Sequence, residues 1–176
     1  MPCSRMNKNV VLRSLEPKDG SDLVKHLNNP NVIRYLSDRL PKPYTPQDAK
    51  WWLEVGQSQN ALNYAIEYDG QFCGVVGAYL PDDLSSPQGA ELGYWLGECF
   101  WGNGTGTHAV ALFVAKFFEK TSLQALYNPV SSPNQASIRV MEKVGFGLKH
   151  ITQKTAFHQG EACDEYVYVL KRAEYI

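Results

Sequence analysis

Excess charge of one sign is missing from this chain: 17 Lys and Arg stand against 18 Asp and Glu, a formal net charge of -1. Proteins that hold nucleic acid or anionic membrane by bulk electrostatics present a clearly basic face, so neither is expected as a partner, although a local basic patch is compatible with this balance. Cysteine is scarce as well. Cys3, Cys73, Cys99 and Cys163 show no C-x-x-C spacing, and a chain of 176 residues needs no disulfide staples. The four are read as reduced thiols in a cytoplasm, and no metal is expected. No run approaches 18 apolar residues, and the opening MPCSRMNKNVVLRSLEPKDG has basic residues without an apolar stretch behind them. On this reading nothing exports or anchors the chain.

Glycine, by contrast, is concentrated. Gly102, Gly104 and Gly106 punctuate the segment ELGYWLGECFWGNGTGTHAVALFVAKFFEK, which runs from Glu91 to Lys120. A strand-like run, Ala90 to Leu96, leads through these glycines into a helix beginning near Thr105. Its apolar stripe is Val110, Phe113, Val114 and Phe117, at i, i+3, i+4 and i+7. Glycines at alternate positions let several backbone N–H groups converge on one point, and a helix N-terminus adds its free N–H groups and dipole. The unit is therefore suited to a phosphate or diphosphate. Two familiar phosphate motifs do not fit. Thr107 and His108 follow Gly106 where a nucleotide P-loop needs Lys and then Ser or Thr, and the spacing is G-x-G-x-G rather than G-x-G-x-x-G.

The remaining chain, 44% hydrophobic and 20% charged, reads as one domain over residues 1–176. Val10 to Leu15 is a first strand, ended by Pro17. Pro17 to Asn28 is a helix buried through Leu23, Val24 and Leu27, and Asn31 to Leu36 is a short helical piece. Pro41 and Pro43 mark a loop from Ser37 to Tyr44. Thr45 as N-cap, Pro46 behind it and Asp48 at the third position announce a helix to about Ser58. Its Trp51 and Trp52 are expected in the core. Asn63 to Tyr68 and Gln71 to Leu80 form a hairpin over Asp69-Gly70, and Pro81 to Gly89 is an exposed loop. Beyond the glycine unit, Leu123 to Tyr127 is a strand stopping at Asn128-Pro129. A helix from about Pro133 turns Ile138 and Met141 inward and ends at Gly145. Phe146 to Thr155 and Glu165 to Leu170 close the chain around His158-Gln159-Gly160. The order β α α β β β α β α β β predicts an α+β, three-layer fold, a mostly antiparallel mixed sheet of about seven strands flanked by helices.

The helix start SSPNQASIRVMEKVGF supplies a second motif. With YWLGECFWGNGTGT upstream it resembles the GNAT superfamily of N-acetyltransferases, most closely the RimJ/RimL-like branch. Tyr94, Trp95, Leu96, Gly104, Gly106, Thr107, Asn134, Ser137, Glu142, Lys143, Gly145 and Phe146 fill that branch's pattern. The resemblance implies acetyl-coenzyme A as donor and a primary amine as acceptor, either a protein N-terminus or a small amine, with direct transfer in a ternary complex. It also admits a homodimer. By position, the backbone of Gly102, Asn103, Gly104, Thr105, Gly106 and Thr107 would hold the diphosphate. Trp95, Leu96 and Gly97 would pair with the pantetheine arm, Asn134 would hydrogen-bond it, and Ser137 would sit by the thioester sulfur.

Asn134 and Ser137 are also good helix-capping types, which is their alternative role. Amine attack on a thioester needs an acceptor for the amine proton and support for the departing thiolate. Met141 occupies the position where many superfamily members carry a donating tyrosine, leaving Ser137 as candidate. Ala156 replaces the glutamate that RimL-like enzymes use as base, so Glu91 on the central strand becomes the candidate, directly or through water. Acceptor specificity is expected from Asn31 to Tyr44 and Pro81 to Gly89. A non-catalytic acetyl-coenzyme A sensor is the alternative these two replacements keep open. A nucleotide-binding domain is disfavoured by the missing P-loop lysine.

Overall fold

The structure, a computed structural model, describes residues 9–158 and 161–175. Along the chain run β1 (Val10–Arg13), a 3-10 turn (Pro17–Asp19), α1 (Gly20–Leu27), α2 (Pro30–Ile33) and α3 (Pro46–Glu54). A second 3-10 turn (Gly56–Ser58) leads to β2 (Ala61–Tyr68), β3 (Gln71–Tyr79) and β4 (Ala90–Leu96). After a third such turn (Glu98–Phe100) come α4 (Thr105–Lys120), β5 (Ala125–Ser131), α5 (Gln135–Val144), β6 (Gly147–His158), β7 (Glu161–Lys171) and α6 (Arg172–Tyr175). The seven strands form one sheet in the order β1-β2-β3-β4-β5-β7-β6. Every pairing is antiparallel except β4 with β5. The mixed, helix-flanked sheet matches the expected class.

Local chemistry explains the elements. Asp69 and Gly70 both take left-handed backbone angles, φ 50° and 79°, the geometry that a two-residue hairpin turn requires. Thr45 Oγ1 accepts from Asp48 N at 3.2 Å while the Asp48 carboxylate accepts from Thr45 N at 2.8 Å, a complete capping box opening α3. Each sheet face then buries its own core. On one, α4 and α5 bring Val110, Phe113, Val114, Phe117, Ile138 and Met141 onto Ile66, Val76, Leu92 and Leu126. On the other, Leu23 and Leu27 of α1 with Ala49 of α3 cover Ala65, Phe72 and Val75.

Several boundaries and one side chain differ from expectation. The helix from Pro17 opens as a 3-10 turn, and α3 stops at Glu54, before a separate turn, instead of running to Ser58. Trp52 packs into the second core, but Trp51 projects outward, 55% exposed. The strand expected to stop at Asn128-Pro129 continues to Ser131. Beyond Tyr127 it pairs only with β7, and a proline is tolerated where a strand has an open edge. Cys73, Cys99 and Cys163 are free thiols, while Cys3 lies outside the described residues. So do Gln159 and Gly160 of the expected closing loop and the side chain of Ala156. Among the described residues no helix is long and apolar enough to cross a membrane.

Candidate active site

β4 and β5 touch over only two register pairs, Ala90 with Leu126 and Glu91 with Tyr127. Past them β4 stays on β3 as far as Leu96 while β5 follows β7 to Ser131, so the sheet opens into a wedge between its two central strands. Alternation along β4 assigns its side chains to opposite faces. Ala90, Leu92, Tyr94 and Leu96 pack into the core under α4 and α5, while Glu91, Gly93 and Trp95 look toward the face covered by α1 and α3.

The mouth of the wedge is the glycine loop. Gly102 and Gly104 adopt φ 77° and 80°, left-handed angles strained for any residue with a Cβ. Gly104 is the residue before α4, and the first bond into that helix runs from His108 N to Gly104 O at 3.1 Å. Thr105 N donates instead to Asn103 Oδ1 at 3.1 Å. Of the first-turn N–H groups it is therefore those of Gly106 and Thr107 that carry no acceptor from the described residues. The cradle fits a diphosphate: left-handed glycines shape it, and a 16-residue helix points its N-terminus into it.

Beside this cradle the three residues expected to meet a pantetheine arm are differently engaged. Trp95 leans on Phe72 and His26, ring centroids 6.1 and 6.2 Å away. Gly97 N donates to Cys73 O on β3 at 2.9 Å. Because a trans peptide points its C=O and N–H oppositely, the carbonyl of Leu96 faces away from β3, toward the wedge. Trp101 Nε1 donates to that carbonyl at 2.9 Å. The sequence reading gave Trp101 no role. The indole neighbours the arm's expected path, and no local pattern marks a contact made across five residues of loop.

On the opposite lip, α5 presents Asn134 and Ser137. Asn134 Oδ1 accepts from Ser137 N at 3.3 Å, so Asn134 does cap its own helix, with its amide nitrogen left for other partners. Ser137 is buried, and its Oγ accepts a hydrogen bond from the Tyr94 hydroxyl at 3.1 Å. Tyr94 belongs to the Tyr94-Trp95-Leu96 strand motif without a role of its own there, and nothing in the spacing joins it to a serine 43 positions later. Burial pushes the Tyr94 phenol above its ordinary range and so keeps it protonated. Met141 sits in the core, its Sδ accepting from Asn128 Nδ2 at 3.4 Å.

Glu91 and Ser137 thus lie on opposite faces of the sheet, with the start of the wedge between them. Burial, and secondarily the charge of Glu165, raises the Glu91 carboxyl above the ordinary carboxylate range. Its register neighbours are Tyr79 on β3 and Tyr127 on β5. A carboxylate made more basic in this way is suited to accept a proton. Next along β4, Gly93 leaves open space: a Cβ there would meet nothing within 4 Å.

Known proteins share this architecture. The structure of RimL, the ribosomal L7/L12 α-N-protein acetyltransferase, in complex with coenzyme A superposes with a TM-score of 0.82 at 17% identity, covering 97% of each chain. Spermidine N-acetyltransferase from Vibrio cholerae, in complex with coenzyme A and spermine, gives 0.81 at 18% identity, over 94% of this chain and 97% of that one. At such identities these likenesses establish the fold. In sequence, YdaF of Bacillus subtilis (strain 168), named as a candidate ribosomal N-acetyltransferase, is 26% identical over 152 residues, 81% of this chain and 80% of that protein. The acetyltransferase (GNAT) domain model matches residues 9–147, a span that takes in both wedge strands, the glycine loop and the whole of α5. With wedge, cradle and hydroxyl pair all inside that match, the chain belongs to the GNAT acetyltransferase domain family and is an acyltransferase.

Proposed function

We propose that this protein transfers the acetyl group of acetyl-coenzyme A to a primary amine by direct attack within a ternary complex. The observation that carries the reading is the wedge itself. It opens directly after Glu91, has the α4 cradle at its mouth, and places Ser137 on the face opposite the carboxylate. The N–H groups of Gly106 and Thr107, with the loop from Gly102 to Thr105, would hold the diphosphate. The open-side backbone of β4 about Trp95, Leu96 and Gly97 would meet the pantetheine arm, with the amide of Asn134 across from it.

Glu91 takes the proton of the attacking amine, directly or through water, from the face lined by Tyr79, Tyr127 and the open floor at Gly93. Ser137 supports the departing thiolate from the other face. RimL and the spermidine enzyme are named for a protein N-terminus and for a small polyamine, so both acceptor types remain within the class. The segments 31–44 and 81–89 are expected to choose between them. The test is to incubate the protein with acetyl-coenzyme A and a panel of N-terminal peptides and aliphatic amines, following free thiol. Acceptor-dependent thiol release is expected. Tight acetyl-coenzyme A binding with no release across the panel would instead support a sensor.

A further inference from the structure

We propose that Tyr94 is a positioning residue for the transfer: by donating its hydroxyl hydrogen to Ser137 Oγ it leaves the serine hydrogen free to point at the departing sulfur. This deepens the acetyl-coenzyme A reading above and rests on it. A serine hydroxyl has one hydrogen and two acceptor sites, so what it offers a ligand depends on what already occupies it. Here Tyr94 fills one acceptor site at 3.1 Å. The backbone of Ser137 is pinned by Asn134 Oδ1, and the residue is only 8% exposed, which limits where its hydroxyl can turn. No acceptor for the serine hydrogen is found among the described residues. A hydroxyl that receives a hydrogen bond is also polarised toward donating its own.

The surroundings favour a phenol in this role. Tyr94 reaches α5 from β4, crossing beneath the first turn of α4, where a Cβ on Gly106 would lie 3.9 Å from the Tyr94 ring. The same side chain therefore passes close beneath the cradle helix and bonds to the serine helix, spanning the two lips of the wedge. Met141, one helical turn beyond Ser137, offers only a thioether that already accepts from Asn128, so it adds no donor.

In the step itself the amine nitrogen bonds to the acetyl carbon and the carbon–sulfur bond breaks. The amine proton goes to Glu91 or water, and the sulfur keeps the bonding pair as a thiolate under the Ser137 hydrogen bond. That thiolate is protonated by water as it leaves. Tyr94 neither gains nor loses a proton.

The test needs no acceptor. Binding of coenzyme A and of desulfo-coenzyme A, which lacks the sulfur, is measured by calorimetry across the thiol titration for the wild type, Tyr94→Phe, Ser137→Ala and the double variant. The wild type should favour coenzyme A increasingly as its thiol ionises. Each single variant should cut that preference about tenfold, the scale of one hydrogen bond to a charged group. The double variant should lose no more than either single one, and affinity for desulfo-coenzyme A should hold throughout. A purely structural role for Tyr94 would weaken both ligands alike. Should Tyr94→Phe lose its cooperative melt, Ser137→Ala reads the same pair from its other member, and an unaltered preference there overturns the proposal. Equal preference in the wild type and Tyr94→Phe overturns it too, with the acetyl-coenzyme A reading intact. Failure of wild-type protein to bind coenzyme A at all would end both.

Discussion

Glu91 is half-buried on the face opposite Ser137, and its raised carboxyl has two consequences of opposite sign. For catalysis, a base must be ionised, so the rate with a fixed acceptor should climb with pH through a midpoint above the ordinary carboxylate value. Glu91→Gln should lower kcat by roughly 10²–10⁴-fold, the usual contribution of a general base, and flatten that limb. An unchanged rate would remove Glu91 from the chemistry. For stability, the folded state binds the Glu91 proton more tightly than the unfolded chain does. The destabilising effect of its charge is therefore absent below the unfolded value of about 4.3 and develops as pH rises through the higher folded value. Glu91→Gln should accordingly melt higher than wild type at neutral pH, with the difference vanishing in acid, a loss of rate coupled to a gain in stability.

Elements were legible where local chemistry alone decides them and obscure where distant partners do. The hairpin at Asp69-Gly70, the cap at Thr45 and the stop at Gly145 each follow from one or two residues, and each is found where the sequence puts it. The end of β5 does not, because Asn128-Pro129 reads as a stop until the strand is seen to have lost β4 as a neighbour. Tyr94 with Ser137 escapes for the same reason, since that contact exists only once β4 and α5 have come together, while Trp101 with Leu96 escapes because the loop between them carries no pattern. Two glycines separate local from nonlocal demands in a measurable way. Gly145 has φ 109° with nothing near a would-be Cβ, so Gly145→Ala should cost about 1–2 kcal/mol, the conformational term alone. Gly89 has φ 79°, and a Cβ there would fall on Ala125 O, at the point where β4 first meets β5. Gly89→Ala should therefore cost several times more and weaken acetyl-coenzyme A binding by disturbing the root of the wedge. Denaturant melts of the two variants check this, and equal losses would refute the contact argument.

On the scale of the whole molecule the sheet is nearly two sheets, β1 to β4 and β5 to β7, joined by two residue pairs and by helices packed across the junction. α4 lies over the first half and packs against α5, whose N-terminus faces the wedge from the second. A ligand seated in the wedge would contact both halves and should stiffen the junction more than either half. Acetyl-coenzyme A at about 100 times its dissociation constant should add about 2.7 kcal/mol by mass action. For a chain of this length that corresponds to a rise of very roughly 5–11 °C in Tm. The distribution matters more than the size. Backbone hydrogen exchange should slow at residues 94–97, 102–107 and 128–137, the lips of the wedge, and hardly change at the paired registers of β1 with β2, far from it. If the slowing were instead uniform, the ligand would be stabilising the fold without bridging its halves. If it were confined to the face of β6 and β7, the donor would be seated elsewhere, and Ser137 would have no sulfur to serve.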